Sequence, residues 1–235
     1  MKKGKLYLIP NSLGGQAIAT TIPIVPPIVA ELNYFIVEEI KSARRYLRAI
    51  GFDKDFDTID FQMLNEHTKN INYLEFLTPC LSGHSIGLLS EAGVPCVADP
   101  GAKVVKAAHD MGIQVVPLTG PSSILLTIMA SGLNGQSFAF NGYLPKERSE
   151  RIKKLKQLEL LATKHEQTQL FMDAPYRNES LFEDVVNNLS PNTLLTVAAD
   201  LTLESEQIST KTIDEWINRP PKIHTRPVMF AIGKG

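Results

Sequence analysis

Short apolar runs, each closed by a polar or glycine-bearing turn and followed by apolar residues three or four apart, recur along the first half of the chain. Residues 5–10 (KLYLIP), 34–37 (YFIV), 58–64 (TIDFQML), 85–89 (SIGLL) and 113–118 (IQVVPL) predict five strands. Between them, Pro26 and Pro27 suit the first turn of a helix running through Glu31. Ala43, Tyr46, Leu47 and Ile50 recur at helical spacing before Gly51, a C-cap residue. Residues 68–81 read as a helix interrupted near Pro79, and residues 102–111 as one closed by Gly112. Strands alternating with helices predict a mostly parallel sheet.

The second half continues in the same manner. Residues 124–130 are so apolar that they predict a helix buried on most sides, with Gly132 ending it. Strands follow at 137–141, 169–172 and 193–198, separated by a charged helix at 147–162 and a helix at 178–187. Residues 206–210, 212–217 and 228–232 read as a strand, a short helix and a final strand. The expectation is an α/β protein of two lobes, 1–117 and 118–235, each within the ordinary size of a domain.

Composition narrows what such a fold can do. Of the 235 residues 43% are hydrophobic and 21% charged, which suits a packed core and disfavours disorder. The formal net charge of -1 gives no global field to draw in nucleic acid, so DNA is not an expected partner and any RNA contact must use a local patch. No apolar stretch approaches the ~20 residues of a membrane helix, and MKKGKLYLIP runs into a strand rather than a leader, so a cytoplasmic protein without a membrane partner is expected. Cys80 and Cys96 read as small core residues. His67, His84, His109, His165 and His224 are scattered, and no metal site is expected.

The candidate chemistry lies in loops at strand ends, where parallel sheets bind ligands. Ser90-Glu91-Ala92-Gly93-Val94-Pro95 is one, with Gly93 able to bring backbone close to a ligand and Pro95 and Pro100 stiffening the loop. Asp99 reads as a cap for the next helix. Thr119-Gly120-Pro121-Ser122-Ser123 is a second, its hydroxyls able either to cap a helix or to bind a carboxylate. Gly142-Tyr143-Leu144-Pro145 and Asp173-Ala174-Pro175-Tyr176-Arg177 are the others.

In that order the segments KLYLIP, LLSEAGVPCVADPG, VVPLTGPSSILLTIMASGL, FAFNGYLPKE and LFMDAPYR resemble the tetrapyrrole (corrin/porphyrin) methylase superfamily. The resemblance is nearest to the branch that methylates a cytidine ribose 2′-hydroxyl in bacterial small-subunit (16S) ribosomal RNA. It implies a two-lobed fold with a mixed, mostly parallel sheet in each lobe, a homodimer, and S-adenosylmethionine bound in the cleft between lobes. It also places Pro10, Ser90, Glu91, Ala92, Gly93 and Pro95 around the cofactor from the first lobe, with Gly120, Ser122 and Ser123 at the hinge. Tyr143, Leu144, Ala199 and Asp200 would cover it from the second. The acceptor side departs from the branch. Asn11-Ser12-Leu13-Gly14-Gly15 stands where the branch has Thr-Pro-Ile-Gly-Asn, and Glu38-Glu39-Ile40-Lys41 where it has Glu-Asp-Thr-Arg.

Methyl transfer to a ribose hydroxyl needs alignment and a proton acceptor, for which Glu38, Glu39 and Glu66 are the first-lobe candidates. Ribosomal RNA needs cations. Lys41, Arg44, Arg45 and Arg48 form one run, and Lys146, Arg148, Arg151, Lys153, Lys154 and Lys156 a second, favoured because it follows a cofactor loop. Methylation of a small tetrapyrrole-like macrocycle, and a cofactor- or RNA-binding relative without catalysis, are the competing expectations.

Overall fold

The computed structural model describes residues 2–15, 17–64 and 72–234. The chain divides into two compact units, Met1–Ser122 and Ser123–Gly235. In the first, β1 (Lys5–Ile9), β2 (Tyr34–Val37), β3 (Asp60–Met63), β4 (Ile86–Leu89) and β5 (Gln114–Pro117) form a sheet in the order β3-β2-β4-β1-β5. Every pair is parallel. Its helices are α1 (Ala17–Thr20), α2 (Val25–Ala30), α3 (Ile40–Ala49), α4 (Tyr73–Phe76), α5 (Thr78–Leu81) and α6 (Ala102–Asp110). The helix expected over 68–81 is described as the two short turns α4 and α5, with Pro79 in the first turn of α5; residues 65–71 lie outside the described residues.

Strand alternation sorts the side chains into two cores. Ile9, Phe35, Val37 and Leu89 pack with Val29 and Leu47 of α2 and α3. Leu6, Ile36, Ile86 and Leu88 pack with Leu77, Val104 and Ala108 from the opposite side. Right-handed crossovers account for this, because the path β1→β2→β3 runs one way across the sheet and β3→β4→β5 runs back. Gly87 lies on the α2 face, where a Cβ would sit 2.5 Å from Ile9 Cδ1 and 3.0 Å from Leu32 Cδ1. The neighbours β1 and β4 therefore send their following chain to opposite faces, which opens a crevice at their carboxyl ends.

In the second unit β6 (Phe138–Tyr143), β7 (Thr168–Met172), β8 (Leu194–Ala199), β9 (Gln207–Thr212) and β10 (Val228–Gly233) are ordered β6-β7-β10-β8-β9. This sheet is mixed: β6 and β7 are parallel, whereas β10 runs antiparallel to β7 and β8, and β8 to β9. Its helices are α7 (Ser123–Ser131), α8 (Arg148–Lys164), α9 (Asn178–Asn188) and α10 (Ile213–Asn218). Gly142 and Tyr143, expected in a loop, extend β6 across a bulge that Gly142 permits at φ +64°.

Helix α7 corrects a second expectation. It packs one side on the sheet, burying Thr127 and Ile128, while Leu125 is 52% and Met129 77% exposed. The Thr210 hydroxyl fixes its end by donating to the Ser131 carbonyl at 2.7 Å. Among the described residues no helix is long and apolar enough to cross a membrane.

Candidate functional site

At the carboxyl edge of the first sheet the loops after β1 and β4 are zipped together by Asn11. Its backbone N–H donates to the Gly93 carbonyl at 2.8 Å, and the Gly93 N–H donates back at 3.1 Å. Its side-chain amide donates to the carbonyls of Ser90 (3.1 Å) and Glu91 (3.0 Å), and its Oδ1 accepts from the Ser12 N–H. Ser90 Oγ closes the same turn on the Gly93 carbonyl at 3.2 Å. Gly93 is buried at φ +71°, where a Cβ would also crowd Leu13. The loop after β5 joins this cluster because Gly120 rests on Pro10, whose carbonyl accepts from the buried Tyr46 hydroxyl at 2.6 Å. Pro10, Ser90, Gly93 and Gly120 are thus brought together in one unit, with Glu91, Ala92 and Pro95 on the same loop. Asp99 serves that loop rather than the helix, accepting from the N–H groups of Cys96 and Gly101 ahead of α6. Burial, with the Asp99 charge beside it, pushes the Cys96 thiol up to about 12.

The expected proton acceptors separate. Glu39 caps α3, its carboxylate accepting from the N–H groups of Lys41 (2.7 Å) and Ser42 (2.6 Å). Those backbone donors, Lys41 first, hold its pKa below the ordinary glutamate value, so it is a weak base. Glu39→Gln is accordingly expected to leave the pH profile of any catalysed reaction in place; disappearance of a titrating limb in that variant would assign Glu39 a catalytic role after all. The Glu38 carboxylate accepts from the Glu91 N–H at 3.2 Å, and Glu91 Oε1 accepts from the Ser42 hydroxyl at 2.7 Å. Glu66 lies outside the described residues.

Between these loops and α3 lies a cavity of about 560 Å³, lined by Asn11, Gly14, Ser42, Arg45, Tyr46 and Glu91 among others. The cations of α3 divide into two rows. Arg44 stacks over Phe56 and Phe61, 5.3 Å from each centroid, and Arg48 over Phe56 at 4.0 Å while donating to the Phe52 carbonyl. Lys41 and Arg45 occupy the other row. The sequence pointed to neither Ser42 nor Arg45 as a cavity residue; their spacing on an amphipathic helix is visible, but the aromatic cluster that ties down the alternate row is not.

In the second unit the expected residues behave differently from one another. The side chains of Leu144 and Ala199 are core, so only their backbone can meet a ligand. Asp200 sits at φ +53°, its Oδ2 held by Arg226 Nε and Ser205 Oγ, each at 2.8 Å. Tyr143 is 59% exposed. Ser122, the last residue of the first unit, is buried, and in the second unit the Ser123 carbonyl accepts from Thr127 Oγ1 one turn later. Asp173 pairs with Arg177 in the loop after β7. The favoured basic run on α8 is partly structural, because Arg148 and Arg151 both bind the buried carboxylate of Asp184. Among the described residues no group of three or more His, Cys, Asp or Glu is arranged to hold a metal ion.

Comparison with known proteins follows the same lines. Residues 29–216 match the profile of the Tetrapyrrole (Corrin/Porphyrin) Methylases. "Ribosomal RNA small subunit methyltransferase I" of Vibrio cholerae is 29% identical over 213 residues, covering 90% of this chain and 70% of that protein. The protein of that name from Bacillus subtilis is 28% identical over 218 residues, covering 92% and 70%. Among solved structures, the methyltransferase CobJ superposes with a TM-score of 0.66 at 16% identity, covering 99% of this chain and 95% of that one. Uroporphyrin-III-C-methyltransferase from Thermus thermophilus gives 0.58 at 16% identity, covering 100% and 93%.

Proposed function

Because this chain belongs to the tetrapyrrole (corrin/porphyrin) methylase family and is a methyltransferase, we propose that it methylates small-subunit ribosomal RNA, at a ribose 2′-hydroxyl, with S-adenosylmethionine as donor. The observation that favours RNA over a macrocycle is the cavity beside α3. Asn11, Ser12, Ser42, Arg45 and Glu91 set polar groups, among them one cation and one carboxylate, into a lining shared with Leu13, Ala49 and Ala92. A tetrapyrrole calls for a broad apolar trough, whereas a nucleotide calls for a phosphate partner and hydrogen-bonding groups at the sugar.

S-adenosylmethionine supplies an electrophilic methyl carbon on a sulfonium. Asn11 and Gly120 hold three strand-end loops against one another, which fixes the edge along which such a ligand would lie. Pro10, Ser90, Ala92, Gly93, Pro95, Gly120 and Ser122 are assigned to the donor in this unit, and Glu91, which the family resemblance also placed there, is given to the acceptor side. With that donor bound, methylation of the acceptor hydroxyl would release its proton, and this chain must supply a carboxylate to take it. Glu91 is the assigned acceptor, because it lines the cavity and keeps one carboxylate oxygen outside the Ser42 hydrogen bond. A cytoplasmic location with the ribosomal substrate and a homodimer belong to the same reading; Met129, 77% exposed on α7, supports self-association.

Incubation with S-adenosylmethionine labelled in the methyl group tests this directly. Label is expected in ribosomal RNA of unmethylated small subunits, and label confined to a porphyrin precursor would overturn it.

A further inference from the structure

Resting on the RNA reading, we propose that Arg45, with Lys41 one turn before it, is the phosphate anchor that positions the RNA strand at the acceptor cavity. The argument begins with what each cation already does. Arg44 and Arg48 are clamped over Phe56 and Phe61, and Arg148 and Arg151 are tied to Asp184, so none of these can move to a phosphate without breaking an internal contact. Lys41 and Arg45 are exposed, and among the described residues neither makes an ion pair or a side-chain hydrogen bond. They stand at i and i+4, on one face of α3, and Arg45 lines the cavity.

The cavity is also polarised. Glu91 repels a phosphate but accepts a hydrogen bond from a ribose hydroxyl, whereas Arg45 attracts the phosphate through its planar fork. A nucleotide can satisfy both in one orientation, phosphate at Arg45 and sugar at Glu91. Gly14 and Gly15, with no side chains, form part of the wall past which a strand must run. Lys153, Lys154 and Lys156 on α8 also lack an ion pair among the described residues, so it is the place of Arg45 in the cavity wall that moves the preferred RNA surface to α3 from α8, which the sequence favoured because it follows a cofactor loop.

Fluorescence anisotropy of the 235-residue chain with a small-subunit ribosomal RNA fragment, repeated over a salt series, tests the assignment. Each phosphate contact to single-stranded RNA adds about 0.7 to the slope of log affinity against log salt. Arg45→Ala is expected to lower that slope by about 0.7, weaken RNA binding about tenfold and raise KM for RNA, with S-adenosylmethionine affinity and thermal stability unchanged. Arg45→Lys should restore the slope and only part of the affinity. The paired control, Lys153→Ala with Lys156→Ala on α8, should leave the slope as in the wild type. An unchanged slope in Arg45→Ala, or a slope lost through the α8 control, overturns the anchor while leaving the RNA reading intact. A wild-type protein that binds S-adenosylmethionine but no RNA overturns both.

Discussion

Asp184→Ala is expected to cost the protein about 3–5 kcal/mol, the usual result of leaving a buried charge without its partner. Asp184 is 1% exposed, and its Oδ2 takes two hydrogen bonds from Arg151, from Nε at 2.8 Å and Nη2 at 2.5 Å, while Oδ1 takes one from Arg148 Nε at 2.8 Å. Arg151 is itself 4% exposed and also reaches the Lys146 carbonyl and Ser180 Oγ. The ion pair thus locks the start of α8 to α9. At ~2–4 °C per kcal/mol for a chain of this size, the melting temperature should fall by about 10 °C. Replacing both partners with apolar residues, Asp184→Leu with Arg151→Met, should recover much of the loss, since the pair itself contributes little beyond avoiding an uncompensated charge. A fall of under 2 °C in Asp184→Ala would mean that Arg151 finds water and is available to a ligand, contrary to its structural assignment.

Gly120→Ala should produce the largest loss of cofactor binding from removal of no functional group at all. A Cβ there would lie 2.1 Å from Pro10 Cβ and 2.4 Å from Pro10 Cγ. The pyrrolidine ring cannot turn aside, and the Pro10 carbonyl is pinned by the Tyr46 hydroxyl, so the β5 loop must lift away from the β1 loop. Affinity for S-adenosylmethionine, measured by calorimetry, should fall at least about tenfold, or ~1.4 kcal/mol. Overpacking of this kind also destabilises by about 1–3 kcal/mol. Gly135→Ala is the control, because a Cβ at Gly135 meets nothing within 4 Å. Equal cofactor affinity in the two variants would detach the Pro10–Gly120 contact from donor binding.

Much of the fold is legible where the pattern is local. The first-unit strands and the helix at α3 follow from apolar runs and 3.6-residue spacing, and Glu39 and Gly51 frame that helix as its terminal groups require. The second sheet is legible in its elements and not in its pairing. β10 inserts between β7 and β8 with both neighbours antiparallel, a choice made by long-range hydrogen bonding that no local period encodes. Composition misled for α7, where an almost wholly apolar segment buries one side and leaves Leu125 and Met129 exposed. It misled again for α8, because a charge run reads as solvated, and the carboxylate that buries Arg151 stands far along the chain on α9.

The site divides in the same way. Ser90 to Pro95, Pro10 and Gly120 were legible because glycine and proline at strand ends have local steric causes and because their order resembles a known family. Asn11 was visible only as a departure from that family, yet it bridges two loops with four hydrogen bonds that depend on the partner loop being present. Arg45 was hidden inside a run of four cations, and only the rings of Phe56 and Phe61 separate it from Arg44 and Arg48.

The most direct measurement is mass spectrometry of nucleosides from small-subunit ribosomal RNA of cells with and without this protein. Loss of one 2′-O-methylated nucleoside, restored by the wild-type chain and less completely by Arg45→Ala, is the expected result. An unchanged set of methylated nucleosides would contradict ribosomal RNA methylation by this protein.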